Sequence, residues 1–208
     1  DKHIEVHNIN TTLRGFTEEK QTAKTPDEVM NIISKEQEFL VSLRDNIKYP
    51  DEHQDLLAKS EIAKKLQEER TIDKLGGATK EIISSGIKNE KTLMKELKNT
   101  SDIQVTYQKF DKNIEAHNIN VNLMKIKEEK YNAKTPRDAL RAAHREQQFL
   151  SSLHGNLRHQ DHNIELLRNI NKAHQSESNK DMDRLREVAG YGYKSKIFSE
   201  QELTKHFK

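Results

Sequence analysis

Residues 1–10, DKHIEVHNIN, return at 111–120 as DKNIEAHNIN, and every later echo keeps the same displacement of 110 positions. EEK at 18–20 returns at 128–130, AKTP at 23–26 returns at 133–136, and EQEFL at 36–40 returns as EQQFL at 146–150. Slid by that displacement, the chain matches itself at roughly a third of positions without a gap. A repeat of this length is the size of a small domain. It predicts two copies of one fold, residues 1–110 and 111–208.

Composition selects the class of fold. Charged residues make up 34% of the chain and hydrophobic ones 32%, with no Trp, seven Gly and three Pro, a profile that suits helices and suits a sheet poorly. Disorder is excluded because the apolar residues are periodic and both copies keep them. The expectation is an all-α chain, a tandem duplication of a helical-bundle module of about 100 residues. No run approaches the roughly 20 apolar residues needed to span a bilayer, and no charged-then-apolar leader opens the sequence. The chain begins on Asp1 and not on Met, which points to a piece of something longer. The absence of Cys removes disulfides, thiolate zinc sites and cysteine nucleophiles together.

Apolar spacing and caps place the helices. Val6, Ile9, Leu13 and Phe16 share one face of a first helix over 3–22, and Ile119, Leu123 and Ile126 repeat it. Thr25-Pro26-Asp27-Glu28 starts a second helix: Thr caps, Pro fills the first turn, and the acids meet the positive end of the dipole. Thr135-Pro136-Arg137-Asp138 restates that start. The second helix ends near residue 48, before Tyr49-Pro50-Asp51. A third runs from about 52 to 75, where Gly76-Gly77 is expected to stop it, leaving a short helix from Ala78 to Ser85. Asn89 and Ser199 cap a last helix, Ser199 and Glu202 standing at capping-box spacing. Leu40, Leu43, Leu150 and Leu153 are expected in the cores. The second copy's first helix, with Phe110, Ile114, His117 and Val121 on its outer side, is expected to pack on the end of the first copy through residues 99–113.

Polar residues supply little that reads as chemistry. His3 and His7 have the four-residue spacing of a metal pair, but Asn113 replaces the first in the second copy. His154, His159 and His162 cluster in a loop where the first copy has Arg44, Tyr49 and Glu52, and they read as surface histidines. Glu36-Gln37 and Glu146-Gln147 face the core side of the second helix, where an acid would serve either as a general acid or as a hydrogen-bond acceptor fixing how helices meet. The second role is favoured, since no Ser, Lys or Asp stands beside them at a catalytic spacing. Glu18-Glu19-Lys20 and Lys24 read as a solvated helix end. Gly-rich phosphate loops, HExxH and GxSxG are absent.

Surface charge distinguishes the copies. Basic and acidic residues number 18 and 20 in residues 1–110, then 18 and 14 in the remainder, and seven of ten His fall in the second part. Arg137, Arg141, Arg145 and Gln148 form one stripe opposite Leu150, where the first copy has Asp27, Asn31, Lys35 and Glu38. Arg offers a planar fork to carboxylates and phosphates, so this stripe is the leading partner-binding candidate. The His7, Asn8 and His117, Asn118 face is the second. A bundle with such a surface and no chemical motif is expected to be a non-catalytic protein-interaction module requiring no metal or cofactor. An anionic-lipid or phosphoinositide binder is the alternative, and an enzyme of unfamiliar type ranks lower. Acids nearly balance bases and aromatics are only 5%, which argues against nucleic acid. A cysteine-free chain rich in Lys, Asn and Ile is similar in composition to secreted or host-directed proteins of AT-rich bacterial genomes. The corresponding expectation is a soluble bacterial effector or surface protein, secreted into a host cell.

Overall fold

The computed structural model describes residues 2–162 and 164–208. Among them the structure is helical, without strands: α1 (Lys2–Thr22), α2 (Pro26–Asn46), α3 (Gln54–Glu68), α4 (Thr71–Ser84), α5 (Glu90–Lys98), α6 (Ile103–Asn132), α7 (Pro136–Ser152), α8 (Ile164–Ser178), α9 (Asp181–Lys194) and α10 (Glu200–Phe207). Short 3-10 turns at Pro50–Glu52 and Gln160–His162 precede α3 and α8. The chain divides into two compact units, one through Ile114 and one from Glu115.

Local chemistry sets the boundaries. The Thr25 and Thr135 hydroxyls each accept from a backbone N–H three residues on, Glu28 and Asp138, both at 3.2 Å. Asn89 caps α5 in the same way through Thr92, and Ser199 with Glu202 makes a complete capping box on α10. Gly76-Gly77 does not end a helix. Both lie inside α4, and the break comes earlier, at Arg70, whose left-handed backbone (φ 54°) starts the next helix. The Arg70 side chain donates to Asp73 at 3.1 Å. A compensation of this kind leaves no mark on composition, whereas a Gly pair does. Lys180 (φ 56°) makes the corresponding break before α9.

Unit 1 has a continuous core. Val29, Ile32 and Ile33 of α2 meet Leu66 of α3, then Leu75 and Ile82 of α4, with Leu93 and Leu97 of α5. The start of α6 closes it with Ile103, Phe110 and Ile114. A second cluster joins Ile9 of α1 to Leu40 and Leu43 of α2 and Ala63 of α3. Lys20 is not solvated: it is 8% exposed, and its ammonium donates to Glu36 at 2.7 Å. The pair fixes α1 against α2, so Glu36 acts as an acceptor between helices. Lys98, in the last turn of α5, donates to the carbonyls of Gln21 and Ala23 and so satisfies the open end of α1. Glu5 accepts from the Lys48 N–H at 2.8 Å and ties α1 to the turn after α2.

Several of these devices recur in unit 2, with the same side chains 110 positions on. Lys130 donates to Glu146, and Glu115 accepts from the N–H groups of Arg158 and His159. Its core is poorer. At the positions of Val29, Ile32, Ile33, Leu66 and Ile82 the second part of the sequence has Ala139, Ala142, Ala143, Ser176 and Gly192. Apolar packing accordingly falls into two small clusters, one around Ile119, Leu157 and Ile170, the other around Leu140, Ala189 and Leu203. Leu40 and Leu43 are buried as expected, but Leu150 and Leu153 are only partly so.

Candidate functional site

α7 opens on Thr135 and Pro136, and Arg137 and Arg141 then project one turn apart from its exposed side. α9 brings Arg186, Gly190 and Tyr193 alongside them, and α10 adds Glu200 and Leu203. Together these residues line a cavity of ≈580 Å³ whose floor is Leu140, Ala189 and Leu203. Unit 1 fills the corresponding space. There the Met30 side chain reaches over Gly76, its methyl carbon 3.8 Å from where a Cβ on Gly76 would stand. Unit 2 has Leu140 for Met30, Arg186 for Gly76, Ala189 for Thr79 and Gly190 for Lys80. Side-chain volume has left the gap between α7 and α9, and a guanidinium has been placed at its edge.

The charges are unevenly satisfied. Arg145 pairs with Glu129, and Arg186 reaches Asp183 at 3.5 Å and donates to His144 Nδ1. Among the described residues Arg137 and Arg141 have no carboxylate within ion-pair distance. Arg137 also occupies the first turn of α7, where the helix dipole is positive and where unit 1 carries Asp27. A cation there works against the dipole by about 0.3–1 kcal/mol. The same arrangement concentrates positive potential at one mouth.

The other sequence candidates separate from this cavity. Gln148 is exposed farther along α7, while His117 is half-buried and Asn118 exposed, both on α6. His154 stacks on His174, ring centres 4.0 Å apart, and the His159 N–H is engaged by Glu115. The side chains of His162 and Glu52 lie outside the described residues. Among the described residues no three His, Cys, Asp or Glu side chains gather as a metal site requires, and no helix is long and apolar enough to cross a membrane. Sequence reasoning missed Arg186 and Tyr193. The signal was the exchange of Gly76 and Ile83 for Arg186 and Tyr193 across the repeat.

A larger opening, of ≈1040 Å³, lies in unit 1 with α2 as its floor and α1 and α3 as walls. Its charges are largely spent internally, in Lys20–Glu36, Arg14–Glu18 and Lys65–Glu69. Among the described residues it offers no pair of unpaired guanidiniums comparable to Arg137 and Arg141.

No family model matches the chain, and no curated protein or solved structure matches it significantly.

Proposed function

We propose that the chain is a tandem pair of helical-bundle modules of about 100 residues that binds another protein and catalyses nothing. The residues that carry the reading are Arg137 and Arg141: two guanidiniums without internal carboxylates, beside Arg186 and Tyr193, over an apolar floor. Such a mouth suits an acidic side chain or a chain-terminal carboxylate flanked by apolar residues, since the fork of Arg pairs with both carboxylate oxygens. The duplication supports the reading through its differences. The helix plan is kept, while Asp27, Asn31 and Gly76 of the first copy stand where the second has Arg137, Arg141 and Arg186.

The test is chemical crosslinking of the full chain to proteins of a bacterial or host lysate, compared with the variant Arg137→Glu, Arg141→Glu, Arg186→Glu. Wild type should capture a partner through α7 and α9 in a salt-sensitive way, and the variant should lose it with helicity unchanged. Arg145→Glu is the control that should matter little. Capture that survives the triple reversal would refute the site. Arg-dependent binding to vesicles of anionic lipid, without any protein partner, would replace the protein reading by the lipid one.

A further inference from the structure

The arginine cavity carries at its edge a contact that fixes a protonation state. Nη2 of Arg186 lies 2.5 Å from Nδ1 of His144, which is half-buried on α7. A guanidinium offers donors only and does not give up its charge, so the ring nitrogen it meets must be a bare acceptor. In this arrangement His144 is neutral, with its ring proton on Nε2. A proton on Nδ1 would set two N–H groups and two positive charges head to head, and the contact would break. Ser34 and Gly76 stand 110 positions earlier, so the unit without the cavity also lacks the pair.

The charges around His144 set the sign of the response. On α7, Arg141 stands one turn before it and Arg145 directly after it, the latter paired with Glu129 of α6. On α9, Arg186 reaches Asp183 at 3.5 Å with its other terminal nitrogen. Glu200 of α10 lines the same cavity, and among the described residues no side chain of α8 bonds to His144. A proton on His144 would thus join three guanidiniums, those of Arg141, Arg145 and Arg186, and an anion in the cavity is what would offset it. The same proton frees an N–H of Arg186 for that anion. Proton and anion favour one another at this place.

We propose that His144 makes the cavity a proton-linked carboxylate site. The neutral imidazole keeps one N–H of Arg186 occupied. Once protonated, it releases that N–H and adds its own charge to the mouth, so a carboxylate binds more tightly in acid. The inference rests on the carboxylate reading of the cavity given above and adds the condition under which the site is strong. By linkage the effect is reciprocal: a carboxylate bound beside Arg137 and Arg141 draws a proton onto His144. His144 acts through Arg186 and through its charge, and so is a positioning residue with no need to touch the ligand.

The experiment follows the isotope-labelled full chain by NMR, with N-acetyl-leucine as the probe, a carboxylate bearing one aliphatic side chain. At about pH 8 the His144 ring should show its proton on Nε2 and a bare Nδ1. N-acetyl-leucine should shift amides of α7 and α9 saturably, and lowering the pH from about 8 to about 5.5 should tighten its binding at least about fivefold. The probe itself stays ionised over that range. The chain has ten His, so variants assign the effect. His144→Gln, which keeps an acceptor for Arg186 but cannot take the proton, should flatten the pH dependence, and His144→Lys should hold the tight form at about pH 8. A proton on Nδ1 at the higher pH, or a pH dependence that survives His144→Gln, overturns the proposal. Binding that depends on Arg137 and Arg141 but not on pH overturns it too and spares the cavity. Absence of any probe-induced shift at both pH values overturns the proposal together with the carboxylate reading on which it rests.

Discussion

Replacing Phe110 by Ala removes the largest wholly buried side chain among the described residues, at 0% exposure. Truncation of a buried Phe costs about 3–5 kcal/mol, the sum of lost transfer energy and the cavity left behind. The Lys88 ammonium near its ring adds about 0.5–1 kcal/mol, held low because Lys88 keeps both Glu96 oxygens at 2.7 and 2.8 Å. The loss should therefore be about 4 kcal/mol, a large share of the 5–15 kcal/mol of a typical domain. Amide exchange across a urea series reads this where it occurs, because the protected amides of α4 and α5 report the face that Phe110 covers. Phe110→Leu should cost less than half as much. A loss below about 1 kcal/mol in α4 and α5 would refute the view that the start of α6 is part of the core of unit 1.

Three further outcomes follow from buried charge, from acid titration and from backbone strain. Lys20→Met should destabilise by about 3–5 kcal/mol because it strands Glu36, while Lys20→Met with Glu36→Met should recover most of the loss in the same urea assay. Glu96 titrates low: partial burial works against ionisation, but hydrogen bonds and charge from Lys88 and then Lys109 outweigh it. A carboxyl depressed in the folded state contributes stability that is present above its unfolded value, about 4.3, and is lost as pH falls through the folded one. Melting temperature should thus drop on acidification below that range, and Glu96→Gln should lower it at neutral pH and flatten the acid limb. Lys196 is left-handed (φ 57°) at the position where unit 1 uses Gly86 (φ 67°), so Lys196→Gly should stabilise by about 1 kcal/mol in thermal melts.

Helix starts were legible because caps are local. Thr25, Asn89, Thr135 and Ser199 announce themselves within four residues, and the structure uses each of them. Interior features were harder. Lys20 looked like a solvated end because its charge hides that Glu36 lies 16 residues away across the α1–α2 interface. Gly76-Gly77 looked like a stop, since helix-breaking propensity is weak beside the demand that α4 continue over α2. Half of the candidate site could be read from α7 alone, as Arg137 and Arg141. Arg186 carried only the contrast with Gly76 110 positions earlier, because which turn of α9 faces α7 is a matter of tertiary packing.

The substitution of Val29, Ile32, Ile33, Leu66 and Ile82 by Ala139, Ala142, Ala143, Ser176 and Gly192 bears on the timescale of opening. With so little buried between them, α9 and α10 should detach from α7 at a small fraction of the global unfolding free energy, as a subglobal unit of their own. A ligand that engages them stabilises the closed form by RT ln(1 + [L]/Kd), so occupancy is written directly into protease resistance and amide protection of one end of the molecule. Unit 1, filled at the same five places, has no such opening to report.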